Sequence, residues 1–351
     1  MSRLASAARR NEKAVRLSEV VAAARRDSVE FPPFMANHLP MILVALDRLG
    51  ADTARLEAYA GAYRKANGLV SINIPERGRI GRGNWRDHFG ERAFEADYRA
   101  FFAGEVARVG STQAQALYLP QLAPGVAASA LHALMRLAYA NLSGDPEEVA
   151  TGLAYWACAY LPLGTPSAEA EKTEEPLEIL LGLRSRLTGP PAKPETDLLW
   201  HWMRAVAALP VFAPVPGALI VTPQTMDRLR RASLALLAST MTFEALHAVT
   251  GCHWLRLIAP TCPAMPAVIS GFWTAIAAVY PKIGMPLPLE EASLEAMQQS
   301  PHVPDWEEIA AVAAKRDDEH DISLAFSARE EWALTGDRLY QVVAARRLGL
   351  A

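Results

Sequence analysis

The sequence predicts an all-α fold in one compact domain, on three observations. Alanine- and leucine-rich stretches with apolar residues three and four positions apart recur from end to end. Runs of alternating Val, Ile and Thr with hairpin dipeptides are nearly absent. The 351 residues are 51% hydrophobic, 21% charged and 8% aromatic, which supplies a sizeable core and excludes disorder.

In chain order, segment 14–26 alternates charge with alanine and reads as a peripheral helix at the edge of the domain. Asn37 is placed to cap a helix over 40–49, with Pro40 in its first turn and Gly50 after its end. Helices follow over 53–65, 91–109, 125–142, 146–160, 174–187 and 196–208, each bounded by Pro, Gly or a capping Ser, Thr or Asp. The same signals give 225–240, 243–258 (capped by Thr242), 267–279, 305–315, 318–333 and 337–347. The 25 prolines cluster in 161–166, 188–194, 210–223 and 281–304, where fixed φ and the missing N–H end helices and stiffen the connections. None of these loops has the Gly/Ser-rich or charged composition of a tether, and no period of 33–47 residues signals a solenoid. Residues 1–351 are therefore read as a single domain.

Composition also excludes several functions. Lys and Arg total 35 against 38 for Asp and Glu, a net charge of -3, so no basic field attracts nucleic acid. Cys158, Cys252 and Cys262 form neither a disulfide framework nor a CxxC zinc site. That usage fits a reducing cytoplasm, the expected location. The long uncharged runs 109–135 and 257–281 are broken by Pro120, Pro124, Pro260, Pro263 and Pro266, so neither supplies the roughly 20 apolar residues of a membrane span. The N-terminus lacks the apolar core of a secretory signal, and an Arg-rich transit peptide is the weaker reading of it. Oligomeric state is not legible.

The short nucleotide, hydrolase and zincin motifs are absent. The Gly-rich stretch 78–90 has no preceding strand and reads as a solvated loop. What remains is histidine placement. His38 sits at a helix start held by Asn37 and Pro40. His132 shares a polar stripe with Arg136 and Tyr139 on one face of its helix. His247 lies in a helix apolar on nearly every side, and His253, six residues on, points about 120° away. His320 closes the acidic run Asp317-Asp318-Glu319 and opens the next helix. A lone core histidine is usually packed and bonded to a carbonyl. Four on four helices also suit a metal centre, since facing helices can converge neutral imidazoles and nearby carboxylates can orient them. From the residues alone both readings stand open.

The segments NHLPMILVALDRLGA (37–51), NWRDHFG (84–90), LAPGVAASALHALMRLAYA (122–140), EEVATGLAYWACAYLPL (147–163), FEALHAVTGCHWLR (243–256) and DDEH (317–320) resemble, in order, the questin oxidase-like family. The resemblance implies an all-α oxygenase that acts with O₂ on an aromatic polyketide-like substrate, as relatives open the central ring of anthraquinones. It also implies a mononuclear non-haem Fe²⁺ centre with several histidines and a carboxylated lysine. Carried over by motif, the metal ligands are His38, His132, His247 and His320. The lysine is where this chain departs: Asp321-Ile322-Ser323 follows DDEH, with Ser323 at the expected position and Lys315 the nearest substitute. Four neutral imidazoles leave the charge of Fe²⁺ uncompensated, so Asp317, Asp318 or Asp321, a bound hydroxide, or an enolate or phenolate of the substrate is expected to offset it, and a gap is expected beside the metal at Ser323. His253 is expected behind the ligands. Arg136 and Arg256 are candidates to steady an oxyanion, and Tyr139, Trp156 and Trp254 to stack on an aromatic substrate. An NADPH-dependent or metal-free Baeyer–Villiger-type oxidase is the enzymatic alternative, although no motif supports NADPH. A helical binding protein that has lost the centre is the non-enzymatic one.

Overall fold

The computed structural model describes residues 15–168, 170–189 and 194–351. The first described element, α1, covers residues 15–24; residue 14 lies outside the described residues. It is less peripheral than expected, because Val21 and Ala24 are buried in the common core. A short hairpin follows, β1 (Glu30–Phe31) pairing antiparallel with β2 (Met35–Ala36), with Glu30 opposite Ala36. The sequence pattern gave no sign of it.

Among the described residues all other regular structure is helical: α2 (Leu39–Arg48), α3 (Thr53–Asn67), α4 (Glu95–Val109), α5 (Ser111–Leu122), α6 (His132–Ser143), α7 (Pro146–Cys158), α8 (Pro176–Arg186) and α9 (Leu199–Ala207). The chain continues through α10 (Thr225–Thr240), α11 (Phe243–Ile258), α12 (Met265–Ile283), α13 (Glu291–Gln298), α14 (Trp306–Ala313), α15 (Glu319–Thr335) and α16 (Leu339–Arg347). The expected cap at Thr242 is in place, and Asp52, Asp145, Asp305 and Asp318 cap their helices in the same way, with side chains that accept from backbone N–H groups in the first turn.

Two expectations fail. The helix read over 125–142 begins only at His132, and a separate helix, α5, precedes it and carries Pro120 in its last turn. The loop read over 281–304 contains the end of α12, which runs through Pro281, and all of α13. In both places a proline read as a stop sits where the helix absorbs it.

Four helices position the site. α2 packs on α6 and α15, and α11 packs on the same two, so α2, α6, α11 and α15 close a ring. α11 is buried on almost every side, as its composition requires. α7 backs α6 at short range: a Cβ on Gly152 would lie 2.9 Å from the Leu137 Cα. Buried residues form one continuous cluster from α1 to α16. No described helix is long and apolar enough to cross a membrane.

Candidate metal centre

Each helix of the ring carries one of the four histidines near its N-terminal end. His38, not the expected Asn37, occupies the N-cap position of α2 and makes no side-chain cap bond there, while the Asn37 side chain accepts from Leu39 N–H. His132 is the first residue of α6, His247 lies in the second turn of α11, and His320 is the second residue of α15. Before His132 the chain makes an unusual turn: Ser129, Ala130 and Leu131 all have positive φ, 48°, 54° and 74°, with no glycine among them. Left-handed backbone costs an L-residue roughly 1–2 kcal/mol, so the surroundings must impose it. Ser129 Oγ donates to Glu30 Oε1 at 2.5 Å and accepts from the Tyr155 hydroxyl at 2.7 Å, while Arg92 holds the same Glu30 carboxylate at 2.5 Å.

The rings converge. Centroids of His38 and His132 are 4.5 Å apart, those of His38 and His320 4.9 Å, and His247 lies 5.6 Å from both His132 and His320. Ligating atoms of His38, His132 and His320 all lie within 4.8 Å of one another. Every Nδ1 has a local acceptor. His38 donates to Ala36 O at 2.9 Å, His132 to Ser129 O at 2.5 Å and His247 to Phe243 O at 3.1 Å, and His320 Nδ1 lies 3.4 Å from Asp318 Oδ1. Every Nε2 is buried and has no protein partner. A proton on Nδ1 leaves the Nε2 lone pair free, the tautomer a metal ligand needs. The acceptors of His38, His132 and His320 form a close trio that fits a cation, and His247, whose ligand atoms stand outside that 4.8 Å group, offers a fourth unpartnered Nε2 beside it.

Electrostatics agree with neutral rings. Burial, reinforced by the neighbouring rings, holds the His38 and His247 imidazoles well below their usual pKa, and burial lowers His132 to about 4. Two carboxylates stand behind the rings. Asp318, bonded to His320, is held below the usual carboxylate range, and Glu319 Oε1 lies 3.7 Å from His38 Nδ1 and 3.9 Å from His320 Nδ1.

The four histidines line a cavity of about 170 Å³. Phe34, Trp200 and Phe243 give it aromatic walls, and Asp197, Glu244 and Lys282 also line it. Phe34 and Trp200 meet edge to face with centroids 6.4 Å apart, and the Arg92 guanidinium lies over both. Lys282 Nζ donates to Asp197 Oδ1 at 2.6 Å.

Other expected residues lie elsewhere. Arg136 is buried in a two-pronged ion pair with Glu148, at 2.7 and 3.1 Å. Arg256 shares the buried Glu331 with Arg230. Neither lines the cavity, and each guanidinium is held by a carboxylate of another helix, which corrects the oxyanion expectation. Trp156, Trp254 and Tyr139 are also buried away from the cavity lining, which corrects the stacking expectation.

His253 donates to or accepts from Ser327 Oγ at 3.0 Å and packs on Tyr139 and Phe326, a separate buried group rather than a backing for the four rings. Ser323 is buried, but its hydroxyl faces Tyr139 and is not part of the cavity wall, so the open space beside the rings does not lie at Ser323 as expected. Lys315 is exposed in another groove. Asp317 is exposed beside Arg55 and Asp321 pairs with Arg347, leaving Asp318 alone of the three in contact with a ring.

The sequence reading missed Glu319, although it sits inside DDEH, and Phe243, one turn before His247. It also missed Glu30, Ser129, Phe34 and Trp200, for which the local pattern offers no signal. A model of the questin oxidase-like family matches residues 35–325, a span that holds all four histidines. No curated protein matches the chain.

Proposed function

The chain belongs to the questin oxidase-like family, a family of oxidases of polyketide-like small molecules, and from that premise we propose that it is a ferrous-iron oxygenase. It takes a planar polycyclic phenol or quinone, of the anthraquinone kind, and uses O₂ to oxygenate and open the ring. The observation that carries this reading is the meeting of His38, His132 and His320, with His247 beside them, on four buried Nε2 atoms without protein partners, each on a ring whose Nδ1 is already engaged.

When bound, ferrous iron supplies a redox-active Lewis acid that passes electrons between an electron-rich aromatic and O₂. The chain does the rest. His38, His132, His247 and His320 hold the ion with neutral imidazoles, and Asp318 and Glu319 offset its charge from behind the rings. This answers the missing lysine: two carboxylates in this segment carry the negative charge that Ser323 cannot. α2, α6 and α15 present their N-terminal ends to the cavity, and the partial positive charge there favours an ionised phenolic oxygen over a neutral one. Phe34, Trp200 and Phe243 give a flat ligand apolar surface and displace water from beside the rings. Lys282 and Asp197, also in the lining, receive polar groups of the ligand.

The test is oxygen uptake by protein loaded anaerobically with Fe²⁺ and given a polycyclic phenol. Uptake that requires iron, needs no NADPH and adds oxygen atoms to the product by mass spectrometry is expected. Equal turnover by iron-free protein, or an absolute need for NADPH, would overturn the reading.

A further inference from the structure

We infer that Glu30 is a positioning residue that couples the aromatic mouth of the cavity to the histidine ring, so that an occupied mouth tightens the hold on the metal. The inference rests on the reading of the ring as an iron site and adds a linkage between that site and its ligand.

The carboxylate of Glu30 joins two parts of the cavity that are far apart in sequence. One oxygen accepts from Ser129 Oγ, the first residue of the left-handed turn whose carbonyl orients His132. The other accepts from Arg92, whose guanidinium lies 4.3 Å from the Trp200 ring centroid and 5.4 Å from that of Phe34. The backbone makes a third link. Glu30 is paired across the hairpin with Ala36, whose carbonyl accepts from His38 Nδ1. Phe34, at the tip of that hairpin, is half exposed at the mouth and held at φ +88°.

A ligand seated on Phe34 and Trp200 therefore presses on a hairpin and a guanidinium that are tied to the acceptors of two ring histidines. Strained backbone persists where its surroundings over-determine it. Here the turn at Ser129 depends on Glu30, which is 7% exposed, and on Tyr155. Fixing the mouth restricts Arg92, Arg92 fixes the carboxylate, and the carboxylate fixes the turn. By linkage the effect is reciprocal: whatever factor the ligand contributes to metal affinity, the metal contributes to ligand affinity.

The experiment is an anaerobic calorimetric titration of full-length protein with Fe²⁺, with and without anthraquinone-2-sulfonate, and the reverse titration. This probe is a planar quinone with no phenolic oxygen to offer the ion. The wild type should show the same factor in both directions, at least about 5-fold, the lower end of usual coupling. Glu30→Gln keeps an acceptor for Ser129 but removes the charge that holds Arg92. Arg92→Gln breaks the same link from the partly exposed side, and it carries the test alone if Glu30→Gln misfolds. In both variants each partner should still bind singly while the factor falls towards one, and the double variant should match either single one. A wild-type factor of one, or an unchanged factor in the variants, overturns the inference and leaves the iron reading standing. No Fe²⁺ binding by the wild type overturns both.

Discussion

The imidazoles of His38 and His132 stand edge to face, centroids 4.5 Å apart and planes at 87°, and each gives its Nδ1 proton to a backbone carbonyl, of Ala36 and Ser129 respectively. Backbone acceptors hold a ring more firmly than a flexible side chain does, because the carbonyl cannot rotate away. One of these carbonyls belongs to a hairpin and the other to a left-handed turn. The geometry of the pair therefore depends on segments outside the helices that bear the rings.

Replacing His132 with Ala removes one Nε2 from the ring and should weaken Fe²⁺ binding at least ~10-fold, since even groups behind metal ligands commonly contribute 10–100-fold. His302→Ala, on an exposed turn outside the cavity, is the matched control. Anaerobic titration followed by metal analysis checks both, and unchanged iron content in His132→Ala would remove that residue from the ligand set.

Glu319→Gln keeps the shape of the side chain and removes its charge from behind His38 and His320. Iron affinity should fall about 10-fold, whereas Asp317→Asn, an exposed carboxylate beside Arg55, should leave it unchanged. Equal effects from the two substitutions would show that proximity to the rings is irrelevant and that only bulk charge matters.

How far the sequence reveals this arrangement depends on where each cause lies. The caps at Asp52, Thr242 and Asp318 and the apolar periodicity of α10 and α11 are local, so those helices are legible within a few residues. α5 and the end of α12 are not, because Pro120 and Pro281 sit late in helices that continue around them. The four histidines are legible because their segments resemble a family pattern. The turn at Ser129 to Leu131 is not, since it adopts left-handed backbone without glycine and is held by Glu30, 99 residues away in sequence. Arg136 and Arg256 misled for the same reason: their own helices do not show the carboxylate, Glu148 or Glu331, that another helix brings to each.

Glu331 is fully buried between Arg230 and Arg256, at 2.7 Å from each. Glu331→Ala leaves two guanidinium groups without their carboxylate and should destabilise the fold by roughly 3–5 kcal/mol. Once the variant is folded, its iron affinity should equal that of the parent. A loss of iron binding with stability intact would return Arg256 to the functional site.

Acid should unfold the metal-free protein through its buried imidazoles. Burial lowers His253 to about 3 from 6.5, so the native state binds fewer protons than the unfolded chain between these values. Its contribution is therefore full above pH 6.5 and is lost as pH falls towards 3, about 2 kcal/mol between pH 7 and pH 5. His38, His132 and His247 act in the same direction. Urea denaturation at the two pH values should show a shallower pH dependence in His253→Gln, which retains a partner for Ser327. An equally steep dependence would mean that His253 is already charged in the native state.

The most direct test of the metal centre is X-ray absorption at the iron edge on full-length protein without a histidine tag, loaded anaerobically and desalted. One iron per chain, with the multiple-scattering signature of at least three imidazoles that is lost in a His38→Ala, His320→Ala double variant, is the expected result. Failure to retain iron, or iron surrounded by oxygen alone and indifferent to both substitutions, would contradict a ring of His38, His132, His247 and His320 as the seat of the chemistry.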